Sequence, residues 1–150
     1  MFTLNQKISE GIAVLATVDA ASQAPGTVTT PWVDQSLFFF VLAMVGVGAF
    51  GASATVDAKL QQATDVGGTG AKDITGKAIV QMLAASGNNK QVLVSMKEAD
   101  LDTENGFRFV RLSVTVGTAA TLLNALLLGG VPRFQPASAY NQAGVTQIVG

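Results

Sequence analysis

Cysteine and histidine are both absent from the 150 residues of this chain. Without cysteine there is no disulfide, no thiolate nucleophile and no cysteine-based zinc site. Without histidine the usual general base, the usual metal ligand and the switch near neutral pH are missing as well. Charge is scarce too: Asp, Glu, Lys and Arg make up 13% of the sequence, against ~25% in ordinary soluble domains. Nine basic and ten acidic residues leave a net charge of −1, and they are scattered singly. No basic cluster exists to follow a phosphate backbone, so direct nucleic-acid binding is not expected. With one Trp and one Tyr, far apart, the chain also lacks the aromatic row of a carbohydrate-binding face. The opening residues have no charged region leading into an apolar core, so no secretion signal is expected.

What is present is apolar residue, 49% of the total. A domain with so much apolar surface and so little charge either enters a membrane or is covered by other subunits. The second is the expectation here. The central stretch, residues 36–65, carries the argument. Its first part, Leu37-Phe38-Phe39-Phe40-Val41-Leu42-Ala43-Met44-Val45, reads as a strand buried on both faces. After a small-residue passage, Ala54, Val56, Ala58 and Leu60 alternate with Thr55, Asp57, Lys59 and Gln61, the period of a half-buried strand. The expected unit is a central hairpin. Residues 37–56 hold no charge and match the ~20 residues of a membrane helix, which gives a rival holin-like reading. Gly46, Gly48, Gly51, Ser53 and Thr55 in its second half, and Asp34 rather than a basic residue before it, weigh against a span.

Further strands are expected at 11–18, 27–30, 91–97, 107–116 and 122–131, with 74–83 fitting a strand or a short helix and read as a strand. Turn signals separate them at ~8–12-residue intervals, the pattern of a sandwich or jelly roll. The fold expected is therefore all-β: a jelly-roll-like antiparallel β-sandwich over residues 11–134. An N-terminal arm (1–10) and a C-terminal arm (135–150) flank it. Two local patterns invite chemistry. Val66-Gly67-Gly68-Thr69-Gly70 resembles a phosphate-cradling loop but lacks the Gly-Lys-Ser/Thr ending, and reads as a strand connection. Asp100, Asp102 and Glu104 alternate like the start of a calcium loop, yet Asn105 and Arg111 stand where glycine and glutamate belong. Paired carboxylates such as Asp100 and Asp102 could in principle do acid–base work, and a solvated turn closed by Asn105-Gly106 explains them better. No catalytic, metal or cofactor site is expected. The residues expected to touch partners are apolar ones in the arms: Phe2, Leu4, Ile8, Phe134, Tyr140, Ile148 and Val149.

Two phrases, Leu60-Gln61-Gln62-Ala63-Thr64-Asp65 and Asn105-Gly106-Phe107-Arg108-Phe109-Val110-Arg111-Leu112-Ser113-Val114-Thr115-Val116-Gly117, add a resemblance. Together with the strand order they resemble small tailed-bacteriophage capsid decoration (cement) proteins with a jelly-roll body, over roughly residues 11–134. The resemblance implies a non-enzymatic virion protein made in the host cytoplasm. It would sit on the outside of an icosahedral shell, usually as a homotrimer, and bridge neighbouring major capsid subunits, often through extended arms. A neck or tail protein of the same virion is the nearest alternative.

Overall fold

The computed structural model describes residues 5–150. Among these residues ten strands form, in chain order: β1 (Ile12–Gln23), β2 (Gly26–Thr29), β3 (Val33–Asp34), β4 (Phe38–Phe50) and β5 (Thr55–Ala63) come first. They are followed by β6 (Lys72–Ala78), β7 (Met82–Leu83), β8 (Gln91–Lys97), β9 (Phe109–Gly117) and β10 (Thr121–Pro132). One sheet has the order β1-β10-β4-β8 and the other β2-β9-β5-β6, with β3 added to β9 and β7 to β5. All pairings are antiparallel. Apart from the short β3 and β7 and the paired β5 and β6, successive strands alternate between the sheets, and β10 returns to lie between β1 and β4. That is the jelly-roll arrangement of two interlocked Greek keys. The fold is an all-β jelly-roll sandwich.

Period-two patterning accounts for the core. Val41, Ala43, Val45 and Val47 of β4 point inward with Leu123, Ala125 and Leu127 of β10. They meet Val56, Ala58 and Leu60 of β5 and Val110, Leu112, Val114 and Val116 of β9. Burying each such Val or Leu side chain is worth about 1.5–3 kcal/mol. The strand expected within 74–83 is present but short: β6 ends at Ala78, β7 is a two-residue extension, and a helical turn (Ala84–Gly87) follows. Gly106, at φ +80°, ends the turn before β9 in a conformation that side chains resist.

Three expectations about the central stretch are corrected. Residues 37–56 form β4 and the start of β5, and no helix among the described residues is long and apolar enough to cross a membrane. The holin-like reading therefore fails, because this segment is extended and paired on both sides, with β10 and β8. Nor do β4 and β5 make a hairpin: they lie in different sheets, and the small-residue passage between them crosses from one to the other. Finally, β4 is not covered on both faces. Its inward residues are buried, but Phe40 is 52% exposed, and Leu42 and Met44 are only half-buried.

A second, smaller cluster closes one end of the sandwich. Ala13, Phe38 and Ala137 are buried together, with Leu15, Leu37 and Tyr140 packed around them. Phe38 and Tyr140 meet edge to face, with ring centroids 5.4 Å apart, a favoured aromatic geometry. Gly129 is required here: a Cβ would stand 2.7 Å from the Phe38 ring and 2.9 Å from Leu15 Cδ1. Beside the cluster, Val14 is an edge residue of β1 next to a register shift. Its N–H donates to Asn141 Oδ1 (2.8 Å) and its carbonyl accepts from Gln142 N (2.8 Å). The segment after β10 thus lies against the body and covers part of a bare sheet edge.

Candidate docking surface

The residues expected to touch partners separate into distinct settings. Phe2 and Leu4 lie outside the described residues. Ile8 opens the short helix Ile8–Gly11 and is exposed. Phe134, Ile148 and Val149 are exposed, whereas Tyr140 is half-buried against Phe38. Residues 6 and 7 meet the C-terminal segment: Gln6 Nε2 donates to Gln135 Oε1 (3.1 Å), and Lys7 Nζ donates to the Gly150 carbonyl (2.8 Å).

A larger apolar surface, which sequence reasoning did not select, lies on the outside of the four-stranded sheet. Strand register builds it row by row. Leu42 of β4 stands beside Leu128 of β10 and Ser95 of β8. Met44 stands between Leu126 and Leu93, and Leu126 is flanked in turn by Thr17 of β1. One further row sets Gly46 between Asn124 and Gln91. Leu93 is 61% exposed and Leu122 48%. Between the rows at Gly46 and Gly48 the surface dips into a shallow depression of about 410 Å³, bounded by Ala20, Ala21, Leu122 and Asn124. A Cβ on Gly46 would stand 2.7 Å from Oδ1 of the exposed Asn124 side chain, which would have to turn aside to admit it. Asp19 and Lys97 are the only charged residues in all four strands. The signal was present in the sequence, since apolar residues occupy both phases of 37–45 and of 122–131, but it reads equally as burial on both sides.

The outside of the other sheet has the opposite chemistry. Lys59 and Gln61 both donate to Asp73 (2.8 Å each), and Gln81 donates to Asp57 (2.7 Å). Arg111 Nε donates to Gln61 Oε1 (2.9 Å), while its guanidinium lies 4.5 Å from the ring centroid of Trp32, the sole tryptophan. The sandwich is therefore two-sided: one outer face carries a network of polar and charged side chains, the other a nearly uncharged apolar surface.

The two loops that invited chemistry are occupied by their own contacts. Asp65 Oδ1 accepts from the amides of Gly67 (2.8 Å) and Thr69 (3.1 Å), which ties up N–H groups that a phosphate would need. In the acidic loop Asp100 accepts from Lys97 N (2.9 Å) and pairs with Lys77 (3.1 Å). Asp102 pairs with Lys72 and accepts from Asn105 Nδ2, and Glu98 pairs with Arg133. Among the described residues no group of three acidic or other ligating side chains is placed to hold a metal ion.

These contacts have a titration consequence. Hydrogen bonds from Thr69 hold Asp65 below the usual aspartate range; Lys59 and Gln61 do so for Asp73. The Lys97 amide does the same for Asp100, and Lys72 and Asn105 for Asp102. Each folded-state value is lowered, so the unfolded chain takes up protons first as the pH falls. The stability from these groups is full above the ordinary value of about 3.9 and is lost as the pH drops through the lowered folded values. Urea midpoints are expected to stay level from about pH 7 to pH 5, where no histidine titrates, and to fall below about pH 4. A midpoint that rises on acidification would contradict this assignment.

No protein-family model and no curated protein matches the chain. Several solved structures share a loose likeness in strand arrangement. A chain of the cowpea mosaic virus empty virus-like particle overlaps with TM-score 0.40 and 10% identity, over 76% of this chain and 57% of that one. The SPBc2 prophage-derived protein YomS overlaps with TM-score 0.41 and 13% identity, over 79% and 93%. A Triatoma virus chain gives TM-score 0.43 and 10% identity, over 90% and 70%. This chain spans little more than half of the cowpea mosaic virus chain, and at such scores the likeness says nothing of what it binds.

Proposed function

We propose that this chain is a non-enzymatic structural protein of a tailed-bacteriophage virion. It attaches to the outside of an icosahedral shell as a homo-oligomer, a trimer if it follows the proteins it resembles, and bridges neighbouring major capsid subunits. The observation that carries this reading is the two-sided sandwich, whose charge-poor apolar face suits permanent burial in an assembly. The two phrases behind the resemblance also fall together. Leu60–Asp65 ends β5 and opens the Asp65 turn, while Asn105–Gly117 leads into and forms β9, and β5 and β9 pair in register from Thr55↔Gly117 to Ala63↔Phe109. The exposed Ile8, Phe134, Ile148 and Val149 at the chain ends are proposed shell contacts, with Tyr140 placing the C-terminal segment.

The mechanism is mass action. A protein that binds the expanded shell in preference to its precursor stabilises the expanded state by its difference in affinity for the two. Co-sedimentation with purified shells tests this. Binding to expanded shells, with a raised temperature of shell disruption, is the expected result; failure to bind either form sinks the proposal. Labelling of intact virions separates the positions: signal spread over the shell fits decoration, and signal confined to one vertex or the tail shifts the assignment to neck or tail.

A further inference from the structure

We infer that the outer face of the four-stranded sheet (β1, β10, β4 and β8) is the contact between copies of this chain, a surface distinct from the chain ends. It refines the homo-oligomer part of the reading above and does not depend on the shell. Three observations select another copy as the occupant.

The first is chemistry. Interfaces formed for good are apolar and poor in charge, whereas those made and broken are about as polar as any protein surface. The row Leu126–Met44–Leu93 and the row Leu128–Leu42 hold no charge, and Phe40 and Leu122 extend them. Such a surface suits a partner present from the moment of synthesis, and a second copy always is. The second is area. β4, at 13 residues, spans about 43 Å, and four strands set ~4.8 Å apart make the face roughly 19 Å wide. With the shorter β8 allowed for, the face is roughly 700 Å², near the ~800 Å² that each partner contributes to a stable complex. The third is charge placement. Asp19 lies on the edge strand β1 beyond the row Val18–Ala125–Val45–Val92, and Lys97 ends the opposite edge strand β8 in the row of Phe40 and Gly130, so the two charges stand at opposite corners and the rows between them are uncharged. A homotypic contact is then free of like-charge repulsion.

Sedimentation equilibrium of the purified protein, from low to high micromolar concentration, tests the inference alongside Leu93→Lys, Leu126→Lys and, on the polar face, Thr27→Lys. Wild type and Thr27→Lys are expected to sediment as the same dimer or trimer. Leu126→Lys is expected to be monomeric, or to dissociate at least tenfold more readily, with an unchanged β-type circular dichroism spectrum. Leu93 is largely exposed on an edge strand, so Leu93→Lys folds even if Leu126→Lys does not, and it carries the same expectation. A wild type that stays monomeric throughout overturns the inference, as does a Leu93→Lys protein as oligomeric as wild type. Shell binding separates the two proposals. A monomeric wild type that still binds shells leaves the virion reading standing and removes this one. If Leu93→Lys then abolished that binding, the face would belong to the shell protein.

Discussion

Leu60→Ala is expected to lower the free energy of unfolding by about 3 kcal/mol, within the 2–5 kcal/mol seen for such truncations, because lost transfer energy and an unfilled cavity add. Leu60 is fully buried on β5, directly across from Leu112 on β9, itself fully buried. Both point between the sheets, among Val56, Ala58, Val110 and Val114. These neighbours sit on strands paired along their length, so the walls of the cavity cannot close in as a loop or a terminal helix would. For a chain of this size the melting temperature should fall by roughly 6–12 °C. Urea unfolding should show a lower midpoint with an unchanged slope, the mark of altered stability and not of a changed native state. Leu93→Ala, the same chemistry at a position facing out, should stay within about 0.5 kcal/mol of wild type when the protein is dilute. A Leu60→Ala cost below 1 kcal/mol would mean that the space between the sheets is not the core.

The contrast between Leu60 and Leu93 also marks how far the sequence could be read. Alternation at 54–61 and 110–116 identifies β5 and β9 and their inward sides, because a strand with one wet face records its orientation in polar residues. Residues 37–45 and 122–131 carry apolar side chains on both phases and record none. In the structure each has one face in the core and one face open, and the sequence of an open apolar face does not differ from that of a face buried within the chain. The crossing between β4 and β5 was read as a hairpin for a related reason: small residues serve a turn within a sheet and a step between sheets equally well. Arg108 shows how sequence neighbourhood can mislead. It follows the acidic residues 98–104 in sequence but pairs with Asp34, which β3 brings alongside β9. The site residues in the arms were chosen as apolar residues in polar surroundings, and Ile8, Phe134, Ile148 and Val149 are exposed. Nothing in Ala137-Ser138-Ala139-Tyr140 signals that Ala137 would be fully buried; that depends on Phe38, a hundred residues earlier.

Removing residues 137–150 is expected to lower stability by about 2 kcal/mol, whereas removing only 143–150 should cost less than about 0.5 kcal/mol. The difference lies in what the first part of the segment touches. Deleting it uncovers Phe38, now 1% exposed, and Ala13, and removes the edge-to-face contact of Tyr140 with Phe38, which alone is worth about 0.5–1.5 kcal/mol. It also returns the Val14 N–H and carbonyl to water, with a net loss of about 0.5–1.5 kcal/mol for each hydrogen bond. Part of this is offset because the segment no longer has to be ordered, which keeps the net near 2 kcal/mol and the drop in melting temperature at roughly 4–8 °C. The residues after Gln142 are mostly exposed, and the contact of Lys7 with the Gly150 carbonyl is a surface one. The longer truncation has a second consequence. Val14 lies on the free side of β1, and an uncovered strand edge is open to pairing with another chain, so this variant should aggregate on heating in a concentration-dependent way. Calorimetry of the full chain and the two truncations decides the matter. If residues 1–136 melt with the full chain, the segment contributes nothing to the body and is available as an arm. If the loss appears between 136 and 142, the segment is part of the sandwich, and only the residues beyond it are available to reach a neighbour without a cost to the fold.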